Sequence, residues 1–464
     1  CQRRGGAQVG PVASRKGEVA ASRVGHCGEP YAARMGAPQP AAGGPTGAAG
    51  RDAAAKRKRL GAWYTPDTLV DHVVELVLDG LPPTSDPVRV LDPACGDGRF
   101  LAAVGRRLGA RAELVGCDID ADAVAAARAA LGSAATIIHA DALAHDWDAG
   151  TFDIVVGNPP FLNQLSRATT RGGRSRFGGG PYADTAAVFL ALAVALARHD
   201  GGRAAMIVPV SILSARDAAP IRTGLLDNAA LRHLWWSPTS LFDAQVRTAA
   251  LVFERGDVQG DVQRSVGPSF APAAPTRLGT SWGALLLDSD DDLGEPADDD
   301  APVLGDLAVF SADFRDQYYG LIGAVGDDVD GPPLVTSGLI DPGCCHWGER
   351  PVRFAKQRFA APRVALDRLS PPLQRWATGR LVPKVLIANQ TRGIEAVVDR
   401  DGAWLPGVPV ISAVPRPGVG LDEVMAGLSS PAASAWVRRQ AAGSGLSADT
   451  VRLGPALLAS IPLA

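Results

Sequence analysis

The segment Val88-Arg89-Val90-Leu91-Asp92-Pro93-Ala94-Cys95-Gly96-Asp97-Gly98-Arg99-Phe100-Leu101 runs from an apolar strand through a glycine loop directly into a helix start. Few folds accept such a junction. Gly96 and Gly98 can take positive φ and let a ligand approach the backbone, while the following helix aims free N–H groups at whatever binds. A second strand, Glu113-Leu114-Val115-Gly116-Cys117, ends at Asp118, 20 residues beyond Gly98. A doubly wound sheet places a ribose-binding carboxylate at that distance. A third strand, Ala135-Thr136-Ile137-Ile138-His139-Ala140, ends at Asp141, and a fourth, Phe152-Asp153-Ile154-Val155-Val156-Gly157, leads into Asn158-Pro159-Pro160-Phe161. Four strands thus bring polar residues to their carboxyl ends, where open α/β sheets bind ligands.

The loop's charge selects among nucleotide-like ligands. A dinucleotide fold keeps three glycines for a pyrophosphate, whereas this loop has two and carries Asp92 and Asp97. Those carboxylates repel phosphate and suit a sulfonium or an ammonium, so S-adenosylmethionine is the expected ligand. The tetrapeptide points to chemistry on a planar amino group. Asn158 offers a side-chain oxygen, Pro159 offers a carbonyl without an N–H, and Pro160 stiffens the turn that aims both. An exposed Phe161 would give a heterocycle a face to stack on. Two acceptors on an exocyclic amine favour a more pyramidal nitrogen whose lone pair can reach a sulfonium methyl, with no need of a cysteine nucleophile or a metal.

Asp92-Pro93-Ala94-Cys95-Gly96-Asp97-Gly98 followed by Asn158-Pro159-Pro160-Phe161 resembles the N6-adenine DNA methyltransferases of the gamma order, in which cofactor motifs precede the catalytic motif and a target-recognition domain comes last. Trp63-Tyr64-Thr65-Pro66-Asp67-Thr68-Leu69-Val70 adds a third matching motif. The likeness is strong over roughly residues 58 to 255 and looser from 300 onward. It implies a Rossmann-like, seven-stranded class I methyltransferase domain with its last strand antiparallel, and a C-terminal mixed α+β target-recognition domain. It also implies residue roles. Thr65, with Pro66 beside it, would meet the methionine carboxylate, although Thr65 also suits a helix N-cap. Asp92, Ala94, Gly96 and Gly98 would line the cofactor loop, Asp118 would hold the ribose, Ile119 would pack on the adenine ring, and Asp141 would accept from its amine. Asn158 and Pro159 would hold the target amine. Phe161 would stack on the target base, with Phe242 as a second aromatic of that pocket or a core residue.

Composition bounds the chain without deciding its function. At 464 residues, 46% hydrophobic and 20% charged, it can form two domains with sizeable cores. The longest apolar stretch, Ala186 to Leu196, is too short to span a bilayer and reads as a buried helix. No secretory signal is evident, and the six cysteines lack zinc or redox spacing, which suits a reducing cytoplasm and no metal. The adjacent Cys344-Cys345-His346 has no second pair to complete a metal site.

A net charge of −3 is unexpected for a protein that holds DNA, but the charge is unevenly placed. Residues 288–300 concentrate acid in a polar stretch. Arg350 to Lys384, by contrast, holds nine cations against Asp367 alone, with Phe354, Phe359 and Trp376 interleaved. Such a stretch can track a phosphate backbone, and Arg353, Lys356, Arg358, Arg380 and Lys384 are its candidate contacts to double-stranded DNA.

The expected organisation is an extension over residues 1–55, disordered or the product of an upstream start to the reading frame. A methyltransferase domain follows over 56–260, then a linker over 261–302 and a target-recognition domain over 303–464. The Arg/Gly-rich segment from Ser166 to Gly180 reads as a loop that closes over substrate or as an insertion. No unassigned region would hold a nuclease, so a modification enzyme working alone, with a separate restriction endonuclease or with a defence-system subunit is expected. Two other classes stay open. One is a methyltransferase acting on protein glutamine or RNA, and the other is a non-catalytic DNA-binding subunit of a defence system.

Overall fold

Continuous apolar runs along the central strands dictate a sheet covered on both faces. In the computed structural model, which describes residues 65–81, 86–161, 177–180, 183–241, 246–256, 258, 260–279, 281–287 and 301–463, that sheet has nine strands. They are β1 (Val88–Asp92), β2 (Ala112–Asp118), β3 (Ala135–His139), β4 (Ile154–Gly157), β5 (Arg203–Pro209), β6 (Ala229–Trp236), β7 (Thr248–Arg255), β8 (Val262–Val266) and β9 (Ala271–Thr276). Their order is β3-β2-β1-β4-β5-β7-β6-β8-β9. On β5, Ala204, Met206 and Val208 enter one apolar layer and Ala205 and Ile207 the other; on β7, Ala249, Leu251 and Phe253 oppose Ala250 and Val252 in the same way. A two-residue period with both faces apolar forces a three-layer sandwich.

Helices fill the two layers. Asp67–Leu78 buries Leu69, Val70, Val73, Val74 and Val77, a stripe at helical spacing, and shares its layer with Arg99–Leu108 and Ala121–Leu131. Thr185–Leu196 is apolar nearly all round and lies on the other face with Ala219–Leu226. It is the apolar stretch singled out in the sequence, and among the described residues no helix is long and apolar enough to cross a membrane.

Strands β1 to β5 are mutually parallel, and β7 runs antiparallel between β5 and β6. The chain winds outward through β2 and β3, then returns to pair β4 with the other edge of β1. That reversal opens a crevice at the carboxyl ends of β1 and β4.

The sheet exceeds the expected seven strands, and part of the expected 261–302 linker is inside it. β8 pairs parallel with β6, and β9 closes the edge. Arg264 of β8 fastens this extension: its guanidinium donates to the carbonyls of Ala274, Leu285 and Leu287. Pro272 and Pro275 on β9 are tolerated because an edge strand leaves one side of its backbone unpaired. The acidic stretch 288–300, the N-terminal extension over 1–55, and residues 166–176 lie outside the described residues.

Beyond residue 301 the chain is mixed α+β. An antiparallel sheet orders Ala308–Ala312, Ile411–Pro415, Lys384–Ile387 and Ala396–Asp399. The helices Leu421–Ser429 and Pro431–Ala441 cover it through Val424, Leu428, Ala433 and Val437. Pro431–Ala441 also joins this part to the nine-stranded sheet. Ser281 Oγ donates to the Arg439 carbonyl at 2.9 Å, Arg247 Nη2 donates to the Gly445 carbonyl at 2.7 Å, and Ala442 enters the core beside Trp282.

Candidate active site

The strands at the crevice bring Asp92, Asp118 and Asn158 to their carboxyl ends or just beyond them. Asp92 closes β1 and is buried, with Oδ1 accepting from the Ala94 N–H at 3.1 Å. Gly96 (φ 53°) and Gly98 (φ 85°) both adopt the left-handed conformation that favours glycine. The two glycines then differ. A Cβ at Gly98 would strike Leu131 at 2.8 Å, so that glycine is needed for packing, whereas at Gly96 no atom lies within 4 Å and the backbone faces open space.

Asp118, at the end of β2, ties this loop down. Its Oδ2 accepts from the Gly96 N–H at 2.9 Å and its Oδ1 from the Asp120 N–H at 2.9 Å. Ile119 follows and is 62% exposed, an unusual position for a large aliphatic side chain at a crevice rim. Asp141 is exposed beyond β3, with Oδ1 accepting from the Leu143 N–H at 3.0 Å.

Asn158 emerges from β4 on the other side of the switch point. Its Nδ2 donates to Thr65 Oγ1 at 2.9 Å, joining residues 93 positions apart. Thr65 is buried and directly precedes the helix whose N-cap is Pro66, which supplies no side-chain cap. The N-cap role open to Thr65 is therefore not adopted. Arg99 adds a second tie from the glycine loop, donating to the Thr65 carbonyl, to Asp67 and to Asp97 Oδ2. Sequence reasoning missed Arg99, whose only signal is its place one residue after Gly98.

Pro159 is buried and Pro160 half-buried. Phe161, expected to stand exposed, is half-buried because it packs where the two apolar layers meet at the end of β4. Phe242 lies outside the described residues. Gly157 has no room for a side chain, since a Cβ there would lie 2.5 Å from Asp92 Oδ1. The 158–161 turn and the glycine loop thus pack against each other through that carboxyl.

Burial, then the charges of Asp118 and Asp97, push the Asp92 carboxyl well above the ordinary carboxylate range. Asp92 is therefore a weaker source of the negative charge that the sequence assigned to this loop. The thiols beside the loop are held neutral. Burial raises Cys95, and burial with the Asp118 charge pushes Cys117 up to about 11. Neither serves as a thiolate nucleophile near neutral pH.

Residues 50–266 match the family model described as N-6 DNA Methylase. The chain carries an N-6 DNA methylase domain. Two curated relatives agree over shorter spans. The type II methyltransferase M.CvrRI of Paramecium bursaria Chlorella virus XZ-6E is 29% identical over 170 residues, 36% of this chain and 40% of that protein. The type II methyltransferase M.TthHB8I of Thermus thermophilus is 35% identical over 108 residues, 23% of this chain and 22% of that one. The chain thus spans less than half the length of either relative. Among solved structures, a type I restriction-modification methyltransferase subunit from Streptococcus thermophilus is similar at 19% identity and a TM-score of 0.40, covering 48% of this chain and 52% of that one.

The N-6 DNA methylase domain belongs to the S-adenosylmethionine-dependent class, and its crevice fits that cofactor. Gly96 leaves open space where the ligand backbone would pass, Asp118 keeps acceptor capacity beside it, and Ile119 presents an apolar face to a ring.

The basic stretch of the C-terminal part divides in two. Lys384, a candidate DNA contact, is fully buried, with Nζ 2.5 Å from Asp399 Oδ2. It cannot reach a phosphate, because an ammonium this deep requires its counter-ion. Arg380 is likewise engaged inward, with Nη2 2.6 Å from Asp313 Oδ1 and Nη1 donating to Ser311. Arg350 pairs with Asp341, and Arg363 donates to the Gly331 carbonyl over the Trp347 ring. Arg353, Lys356 and Arg358 remain on the surface. His346, beside the adjacent Cys344 and Cys345, has its ring nitrogens against Asp341 and Glu349.

Proposed function

We propose that this chain transfers a methyl group from S-adenosylmethionine to the N6 amine of an adenine rotated out of duplex DNA, in the gamma order of motifs. The observation that carries this reading is the contact between Asn158 and Thr65 at the switch point of an N-6 DNA methylase domain.

This reading assigns each residue of the crevice a role. Thr65 and Pro66 would meet the methionine end of the cofactor, with Asp92, Ala94, Gly96 and Gly98 around its middle. Asp118 would accept from the ribose, Ile119 would cover the adenine ring, and Asp141 would accept from that ring's amine. Once bound, the cofactor supplies an electrophilic methyl on a positively charged sulfur. The protein supplies alignment. Asn158 Nδ2 donates to Thr65, and in this reading its Oδ1 would accept one hydrogen of the target amine while the Pro159 carbonyl would take the other. Held this way, the nitrogen would turn its lone pair toward the methyl, the N–C bond forming as the sulfur–methyl bond breaks to leave a neutral thioether, and the displaced amine proton would pass to solvent water. Phe161 would stack on the rotated base and offset part of the unstacking cost of a few kcal/mol, with Phe242 as a second aromatic.

Residues 301–463 would form the target-recognition part, and Pro160 would keep the turn rigid. A separate restriction endonuclease or another subunit of a defence system would be the partner. Labelled cofactor offered in parallel with duplex DNA, RNA and protein tests this reading. Label recovered as N6-methyladenine in duplex DNA is expected, and label in RNA or protein alone would overturn it.

A further inference from the structure

Three of the exposed cations in the C-terminal part lie on one β-hairpin. Val352–Phe354 and Gln357–Phe359 pair antiparallel with Phe354 opposite Gln357 and Arg353 opposite Arg358. Val352 and Phe354 point inward and are buried, so Arg353 and Arg358 share the outer face. The pair next to the closing pair of a two-residue hairpin is of the close, non-hydrogen-bonded kind. Two like charges directly opposite there repel each other. Neither arginine, nor Lys356 at the tip, makes a hydrogen bond or an ion pair through its side chain among the described residues. This contrasts with Arg350, Arg363, Arg380 and Lys384, each of which has an internal partner.

The tip is also strained. Ala355 (φ 48°) and Lys356 (φ 68°) form a turn with both central residues in the left-handed region, where Asn-Gly would sit without cost. Among the described residues only Phe270 shares that region with a non-glycine side chain. The turn is fixed from below: the Ala355 N–H donates to the Tyr318 hydroxyl at 3.1 Å, and the Tyr318 and Phe354 rings lie 4.9 Å apart. A rigid support therefore holds a lysine where glycine is preferred, beside two arginines held against each other. Neither feature serves the fold.

We propose that this hairpin is a phosphate clamp for the backbone of duplex DNA. Arg353 and Arg358 take one phosphate between them, and Lys356 reaches a neighbouring one. The anion replaces the repulsion between the arginines with two charge-assisted contacts. The clamp rests on the DNA reading above, and it assigns the hairpin to positioning the duplex rather than to reading its bases.

The test measures binding of the full chain to a fluorescent duplex across a salt series, together with thermal unfolding without DNA. Each neutralised phosphate contributes about 0.9 to the slope of log K against log salt. The triple variant Arg353→Gln, Lys356→Gln, Arg358→Gln is expected to flatten the slope by roughly 2 and to weaken binding on the order of a hundredfold near ~0.1 M salt. Its melting temperature should equal or exceed that of the wild type, because like-charge repulsion is removed. Arg358→Lys should keep the slope. Ala355→Asn should raise the melting temperature and leave DNA affinity unchanged. A triple variant with the wild-type slope overturns the clamp while leaving the DNA reading intact. A wild-type chain that does not bind duplex DNA overturns that reading and the clamp with it.

Discussion

Asn158 Nδ2 and Thr65 Oγ1 lie 2.9 Å apart, so the residue proposed to hold the target amine is oriented by one proposed to meet the cofactor. A threonine hydroxyl can accept from the amide and still donate its own proton elsewhere. The bond fixes which arm of the amide carries the oxygen. Thr65→Val keeps the shape but removes the acceptor, and we expect kcat to fall roughly tenfold to a hundredfold, the range of one misplaced group. Thr65→Ser should recover most of that loss. Equal kcat for the valine and serine variants would mean that Thr65 only packs.

Gly157 stands between the turn proposed to be catalytic and the loop proposed to hold the cofactor. Gly157→Ala would bring a methyl within 2.5 Å of Asp92 Oδ1, and a carboxyl buried to 1% exposure has little freedom to retreat. We expect a destabilisation of about 1–3 kcal/mol in denaturant unfolding. Turnover should fall further than stability alone explains, because the turn carrying Asn158 is displaced.

Asp92 gives stability a pH dependence of a definite sign. Its native carboxyl titrates above the ordinary 3.8, because burial and then the Asp118 and Asp97 charges disfavour ionisation. The fold therefore prefers the protonated form, and this contribution is fully present below the ordinary value and lost as pH rises through the native one. Asp92→Asn should melt higher than the wild type at neutral pH, with the difference shrinking toward pH 4. A constant difference across that range would assign the stabilisation to another cause.

Lys384 and Asp399 form a buried pair, and Asp399 also accepts from the Ala403 and Trp404 N–H groups. Removing one partner leaves the other charge without compensation, at about 3–5 kcal/mol. Asp399→Ala should cost more than Lys384→Met, since it also strands two backbone donors. The Lys384→Met protein, where it folds, should bind DNA with the wild-type salt slope.

The legible parts of the molecule are those with local signals. Strands β1 to β4 announce themselves by apolar runs, and a parallel sheet gathers their ends, so Asp92, Gly96, Asp118, Asp141 and Asn158 could be brought to one edge from spacing alone. β8 and β9 were hidden because Val262–Val266 is short, and Ala271–Thr276 is an exposed edge holding two prolines, which reads as a linker. The basic stretch was legible as composition but not as surface. Its sorting depends on Asp313, Asp341 and Asp399, whose approach to Arg380, Arg350 and Lys384 is set by tertiary packing. The Thr65 to Asn158 bond was equally invisible, because nothing local links a residue preceding the first described helix to one following β4.

The central claim is that Asn158 orients an adenine amine for direct methyl transfer. Its most direct test is single-turnover transfer of labelled methyl to duplex DNA by the wild type and by Asn158→Ala, with cofactor affinity measured on both. We expect N6-methyladenine from the wild type, none from Asn158→Ala, and nearly equal cofactor affinity. Undiminished transfer by Asn158→Ala would contradict the account.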